Sequence, residues 1–317
     1  MSQRDPILLF AGSGSPLLGA RIAENLGVSL GASVSHRFPD GNLFVKVGEN
    51  VRGHDVYLVQ STVFPSNDNF MELLFWIDAF KRASARSVTI VMPYFSYAKG
   101  DKKDEPRVAI RARVCADAIE AAGADRVVAM DLHTPQIQGF FRIPVDNLYA
   151  MTVLSERIAA WGKEDLVVVS PDAGFAKDAR RYASALGTWA AIADKERKGH
   201  EETAHVWDVV GAVAGRNAVI VDDFSISAGT LVSCAEELIE RGARSVDAAV
   251  THAVFAGDSM ERLDASPIGR LVVTDTVENH PVALSPKIEV VSVAPVFAEA
   301  IERIHNRQSI SVMFPES

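Results

Sequence analysis

The feature that most limits what this chain can fold into is an alternation: short β-branched runs give way to amphipathic helical patterns, and back again, over nearly the whole length. The runs predict strands at Ile7–Phe10, Val56–Gln60, Val88–Met92, Val127–Met130, Leu166–Ser170, Ala218–Val221, Val246–Val250, Leu271–Thr274 and Ile288–Val293. The 3.6-residue patterns predict helices at Pro16–Leu26, Asn67–Ala83, Val108–Ala122, Thr152–Trp161, Phe175–Leu186, Leu231–Arg241 and Val296–Arg307. Strands separated by helices pair in parallel through crossover connections, so the expected class is α/β, with mostly parallel sheets flanked by helices. Pro16 is placed to open the first helix, and Gly27, Gly123, Gly187 and Gly242 stand where helices should stop.

A length of 317 residues is enough for two such domains. A weak internal duplication agrees: Gly123-Ala124-Asp125-Arg126-Val127 leads to His133, and Gly242-Ala243-Arg244-Ser245-Val246 leads to His252, with the same spacing from glycine to histidine. The same pattern also follows from helix–glycine–strand turn chemistry alone. If it is a true repeat, the chain is two related halves, 1–149 and 150–317, with ligands expected at the carboxyl ends of their strands.

Composition narrows the function classes. With 32 Lys and Arg against 41 Asp and Glu, the net charge of −9 offers no electrostatic footprint for nucleic acid or an anionic membrane. No apolar run approaches the roughly 18–20 residues needed to cross a bilayer. Cys115 and Cys234, each inside an apolar periodic segment, read as buried reduced thiols, so the expected compartment is the cytoplasm.

Five segments carry chemistry. In Ala218–Leu231 a buried run ends in Asp222-Asp223, and a small-residue turn, Ser227-Ala228-Gly229-Thr230, then opens a helix. Successive backbone N–H groups and the positive helix end would converge on a phosphate, with the carboxylates free to hold sugar hydroxyls or a ligand's metal ion. Lys195, Arg197 and Lys198 follow a predicted strand end in a polar, glycine-containing stretch, as in a cationic lid or a solvated loop. His133 and Asp172 each fall just past a strand, where they can be ligands or structural residues. Pro93–Arg107 interleaves aromatics and cations, a pattern suited to a nucleotide.

Taken together, these segments resemble the ribose-phosphate pyrophosphokinase family from about Ile7 to Phe314. The matching segments include Arg37-Phe38-Pro39-Asp40-Gly41, Gln60-Ser61-Thr62, Asn67–Leu73, Asp131-Leu132-His133, Gln136–Phe141, Pro144–Asn147, Ser170-Pro171-Asp172 and the Asp222-Asp223 loop. The resemblance implies two phosphoribosyltransferase-like domains, the first on the nucleotide side and the second on the ribose 5-phosphate side. It implies transfer of the β,γ-diphosphoryl group of Mg-ATP to the C1 hydroxyl of ribose 5-phosphate, in a homo-oligomer, expected to be a hexamer.

By the same resemblance, Lys195 and Arg197 would be catalytic. Asp222, Asp223, Ser227, Ala228, Gly229 and Thr230 would bind ribose 5-phosphate. Phe38, Asp40, Asn42, Lys99, Asp101 and His133 would bind ATP, the first three from a neighbouring subunit, and His133 and Asp172 would hold Mg²⁺. The chain departs from the family pattern where Asn42 replaces a usual Glu, Lys99-Gly100 a usual Arg-Gln, and Ile226–Thr230 a usual Asp-Thr-Gly-Gly-Thr. Fewer fixed partners for the base imply looser nucleotide choice. The rival readings are a non-catalytic regulatory paralogue and a phosphoribosyltransferase.

Overall fold

The computed structural model describes residues 6–196, 205–278 and 283–314, with the backbone alone at 194–196 and 205–208. Its contacts group into two units. The first begins with β1 (Leu8–Ala11), α1 (Pro16–Leu26), the hairpin of β2 (Ser33–Arg37) and β3 (Leu43–Val47), and β4 (Asp55–Val59). It continues through α2 (Ser66–Arg82), β5 (Ser87–Met92), α3 (Arg111–Ala122), β6 (Arg126–Met130) and β7 (Val145–Leu148). The five-stranded sheet runs β1-β4-β5-β6-β7, every pair parallel. Val56–Val59 and Val88–Met92 are buried without a break, as strands covered on both faces must be. Phe10, Trp76 and Phe80 pack below them, with ring centroids 4.8 Å apart for Phe10–Phe80 and 5.7 Å for Trp76–Phe80.

The second unit holds α4 (Met151–Ala159), β8 (Leu166–Ser170), α5 (Ala176–Ala185), β9 (Trp189–Glu196) and β10 (His205–Val210). After these come β11 (Asn217–Ser225), α6 (Gly229–Glu240), β12 (Ser245–Ala253), α7 (Ser259–Ala265), β13 (Ile268–Thr274) and β14 (Ile288–Val291). Its sheet runs β10-β9-β8-β11-β12-β13-β14, and among the pairs only β9–β10 is antiparallel. Cys234 lies in this core and Cys115 in the other; neither is in a disulfide, and burial pushes the Cys115 thiol up to about 11.

The last helix, α8 (Ala294–His305), returns to the first unit and packs on α1. The stretch beginning at Thr276 does the same. The Glu278 carboxylate accepts from the Leu17 and Leu18 N–H groups at 2.9 and 3.2 Å, placing negative charge on the α1 N-terminus. A single cut after residue 149 therefore separates segments that pack together, because the C-terminal helix covers a face of the first sheet's unit.

A buried polar network fixes the β1–α1 connection. Glu72 is 2% exposed and accepts from Ser13 N–H (3.2 Å), Ser13 Oγ (3.0 Å) and Trp76 Nε1 (3.1 Å), while Gln60 Oε1 accepts from Gly14 N–H at 3.0 Å. Removing the common acceptor strands the buried Trp76 N–H, at a cost of about 1–3 kcal/mol, and takes a partner from Gln60 and Ser13. Glu72→Ala is expected to lower unfolding stability by about 2–4 kcal/mol. Chemical denaturation checks this, and a loss under about 1 kcal/mol would mean that water replaces the carboxylate.

The predicted strands and helices all form, most within two residues of their expected ends. The halves of the apparent duplication share the helix–glycine–strand turn, with Gly123 at φ 109° and Gly242 at φ 86°. Their histidines differ, however. β6 stops at Met130, leaving His133 exposed beyond it, whereas β12 continues to Ala253 and buries His252.

Candidate active site

In the second unit the carboxyl ends of three adjacent strands, β9, β8 and β11, carry Lys195, Asp172 and the Asp222-Asp223 pair. The pair lies within β11, one strand over from Asp172. Asp222 Oδ1 accepts from the Asp223 N–H at 3.0 Å, and Asp223 Oδ1 from the Phe224 N–H at 2.9 Å. Asp172 Oδ1 accepts from the Phe175 N–H at 3.1 Å, just before α5. Burial raises the Asp222 carboxyl well above the usual carboxylate range, and the charges of Asp223 and Asp172 push it the same way. An acidic group strained in this sense is a receptor for hydroxyl donors or for a cation.

After β11 the chain turns through Ile226, Ser227 and Ala228 into α6. Ser227 Oγ accepts from the Gly229 N–H at 3.4 Å, and the loop after β12 braces the turn through Ala256 N–H donating to the Ile226 carbonyl at 2.9 Å. Ala228 adopts φ 59°, ψ −4°, the left-handed conformation that glycine takes without strain. A non-glycine residue there costs about 1–2 kcal/mol, against about 0.4–1 kcal/mol of unfolded-state entropy that a glycine adds. Ala228→Gly is thus expected to stabilise the protein by about 0.5–1 kcal/mol, raising its melting temperature by a few degrees. A fall on thermal melting would show that the Cβ packing at this 1%-exposed residue outweighs the strain.

Lys195 is found within β9, opposite Val206 of β10, rather than in a loop after the strand. The strand outlasts its apolar residues because β10 supplies an antiparallel partner for Asp194–Glu196. Arg197 lies outside the described residues.

In the first unit, Lys99 and Asp101 follow β5, and His133 follows the adjacent strand β6. Thr134 Oγ1 donates to Asp101 Oδ2 at 2.7 Å, joining these two loops, while Asp101 Oδ1 is buried with no partner among the described residues. Lys99 and His133 are exposed.

Phe38, Asp40 and Asn42 form the end of the β2–β3 hairpin. Asn42 donates its backbone N–H (3.0 Å) and side-chain amide (2.7 Å) to Asp40, and the backbone bond leads in holding the Asp40 carboxyl below its ordinary value. Phe38 is 43% exposed, with His36 at 4.6 Å between ring centroids. Arg37 pairs with Asp68, and the neighbouring Asn67 accepts from the Tyr97 hydroxyl in the β5 loop. The start of α2 thereby ties the hairpin to the loop after β5, a link that the separate motifs do not reveal.

Comparison with known proteins bears on the chain as a whole. Residues 7–123 match the family model of the N-terminal domain of ribose phosphate pyrophosphokinase, and residues 204–315 match the phosphoribosyl synthetase-associated domain. The chain is 45% identical over 315 residues to ribose-phosphate pyrophosphokinase of Clostridium tetani, covering 98% of each chain. It is 48% identical over 309 residues to that of Caldanaerobacter subterraneus, covering 96% of this chain and 97% of the relative. Among solved structures, phosphoribosylpyrophosphate synthetase from Mycobacterium smegmatis superimposes with a TM-score of 0.89 at 38% identity, over 95% of this chain and 99% of that one. Among the described residues no helix is long and apolar enough to cross a membrane.

Proposed function

The chain belongs to the ribose-phosphate pyrophosphokinase family, and on that premise we propose that it moves the β,γ-diphosphoryl group of ATP onto the C1 hydroxyl of ribose 5-phosphate, releasing AMP. The observation that carries this reading is the β11–α6 connection, where paired carboxylates near the end of the strand are followed by a tight turn at a helix N-terminus. Asp222 and Asp223 accept from ribose hydroxyls, and the N–H groups of Ser227–Thr230, backed by the α6 dipole, surround the 5-phosphate. Lys195 and Arg197 act on charge that develops on the transferring group. Lys99, Asp101 and His133 take the nucleotide, with Phe38, Asp40 and Asn42 completing that site from a neighbouring copy in a homo-oligomer, read as a hexamer. Two buried cysteines outside any disulfide support a cytoplasmic setting.

The donor set suits Mg²⁺. No group of three or more His, Cys, Asp and Glu among the described residues forms a protein-only cage, and Mg²⁺ ordinarily takes one or two carboxylates with the substrate's own phosphates. The acidic cluster that raises Asp222 offers such carboxylates, so Asp172 would hold the ion beside the ribose and His133 on the nucleotide side. When bound, the ion would supply charge neutralisation at the phosphates and a lower hydroxyl pKa. The residues themselves orient the hydroxyl and exclude alternatives for the phosphoryl group.

AMP release tests the reading. It should require ATP and ribose 5-phosphate together, continue to rise with Mg²⁺ beyond the amount chelated by ATP, and stop with a chelator. No AMP at any Mg²⁺ concentration would favour the regulatory paralogue, which binds an active partner without chemistry.

A further inference from the structure

Gly100 lies between two candidate nucleotide residues, Lys99 and Asp101, at the end of the short 3-10 turn Ala98–Gly100. Its φ is outside the left-handed region, so backbone conformation does not demand a glycine here. Space does. A Cβ on residue 100 would stand 2.6 Å from Arg111 Nε, 2.8 Å from Arg111 Cβ and 3.3 Å from Arg111 Cγ. Arg111 occupies the volume that a side chain at residue 100 would fill, and Gly100 is buried beneath it.

Nothing in the fold explains this arginine. It opens α3, where a cation opposes the helix dipole, and the first turn of α3 has no acidic residue to offset it. The side chain is exposed, with no hydrogen bond or ion pair among the described residues. Arg113, two residues on, is by contrast paired with Asp117 and donates to the Phe140 carbonyl at 2.8 Å. In a chain of net charge −9, residues 99–111 carry Lys99, Lys102, Lys103, Arg107 and Arg111 against Asp101, Asp104 and Glu105. A guanidinium left unpaired in a locally cationic loop is suited to phosphate oxygens, which it can meet with two parallel N–H donors.

We propose that Arg111 is a substrate-binding residue that grips the phosphate chain of the donor nucleoside triphosphate, from the space vacated by the missing side chain at residue 100. This rests on the assignment of the β5 loop to ATP. It is consistent with looser selection of the base, since a phosphate contact carries no base information.

Kinetics and nucleotide binding on the full-length protein test it. Arg111→Ala should raise the KM for ATP ten- to a hundredfold, the loss expected of a charge-assisted hydrogen bond, with kcat and the KM for ribose 5-phosphate within about threefold of wild type. Arg111→Lys should fall between. By calorimetry, Arg111→Ala should weaken ATP and ADP but leave adenosine unchanged. Gly100→Gln alone should weaken ATP by displacing Arg111, yet in the Arg111→Ala background it should do no further harm. An unchanged KM for ATP in Arg111→Ala, an equal loss for adenosine, or a joint rise in both KM values with a lower melting temperature would each overturn the proposal. Wild-type protein that binds ATP with this Arg111 dependence but releases no AMP would contradict the catalytic reading and leave the Arg111 assignment standing.

Discussion

Lys195→Ala is expected to lower kcat by about 10³-fold while leaving the KM for either substrate within a few-fold of wild type. The magnitude follows from what a positioned donor does for a transferring phosphoryl group. Charge is spread over its oxygens in the transition state, and one preorganised cationic donor contributes about 2.7–4 kcal/mol there and much less to the ground state. Residue 195 sits on β9, whose neighbour β8 leads to Asp172 and pairs in turn with β11, which carries Asp222 and Asp223, so Lys195 and these acids sit at the same end of one parallel run of strands. Steady-state kinetics in both substrates is the check. If kcat stays within a few-fold, Lys195 has no part in the chemistry.

Asp222→Asn should have opposite effects on binding and on stability. Losing a charged acceptor for the ribose hydroxyls should raise the KM for ribose 5-phosphate roughly ten- to a hundredfold, since hydrogen bonds to charged groups are worth about 1.5–3 kcal/mol. The ligand-free variant should nevertheless melt higher than wild type. Burial, Asp223 and Asp172 raise the folded-state pKa of Asp222 above its unfolded value of 3.8, so the folded state holds the proton more tightly than the unfolded one. Asp222 then favours folding at low pH, and that contribution is lost as pH rises from the unfolded pKa through the folded one. Asparagine keeps an acceptor for the Asp223 N–H without the charge. The gain in melting temperature should therefore be largest above the folded pKa and shrink toward pH 4. A variant less stable than wild type at neutral pH would show that the site is not electrostatically strained.

The parallel framework was legible because buried strands and amphipathic helices leave different apolar periods. Pro16 and Gly27 bracketed α1 by chemistry that needs no tertiary context, and α1 spans Pro16–Leu26. The β2–β3 hairpin was not legible. β2 is exposed along its whole length, so its alternation encodes no buried face, and only the turn between the strands stood out. β7 is short and polar, Val-Asp-Asn-Leu, and relies on β6 for its pairing. β9 runs into a charged stretch that sequence pattern reads as loop, because antiparallel pairing with β10, and not an apolar run, carries the strand past Ala193. At the site, acidic pairs, small-residue turns and cation runs mark positions at strand ends. They do not encode relations such as Thr134 with Asp101, Asp172 with Asp222, or Arg111 over Gly100, which arise when separate loops converge.

Whether the diphosphoryl group moves as one piece can be read by following the phosphorus of ATP by ³¹P NMR in the presence of ribose 5-phosphate and Mg²⁺. The β- and γ-phosphorus resonances should appear together on the ribose product, with one AMP formed for each. ADP as the nucleotide product, with only the γ-phosphorus transferred, would contradict transfer in one piece.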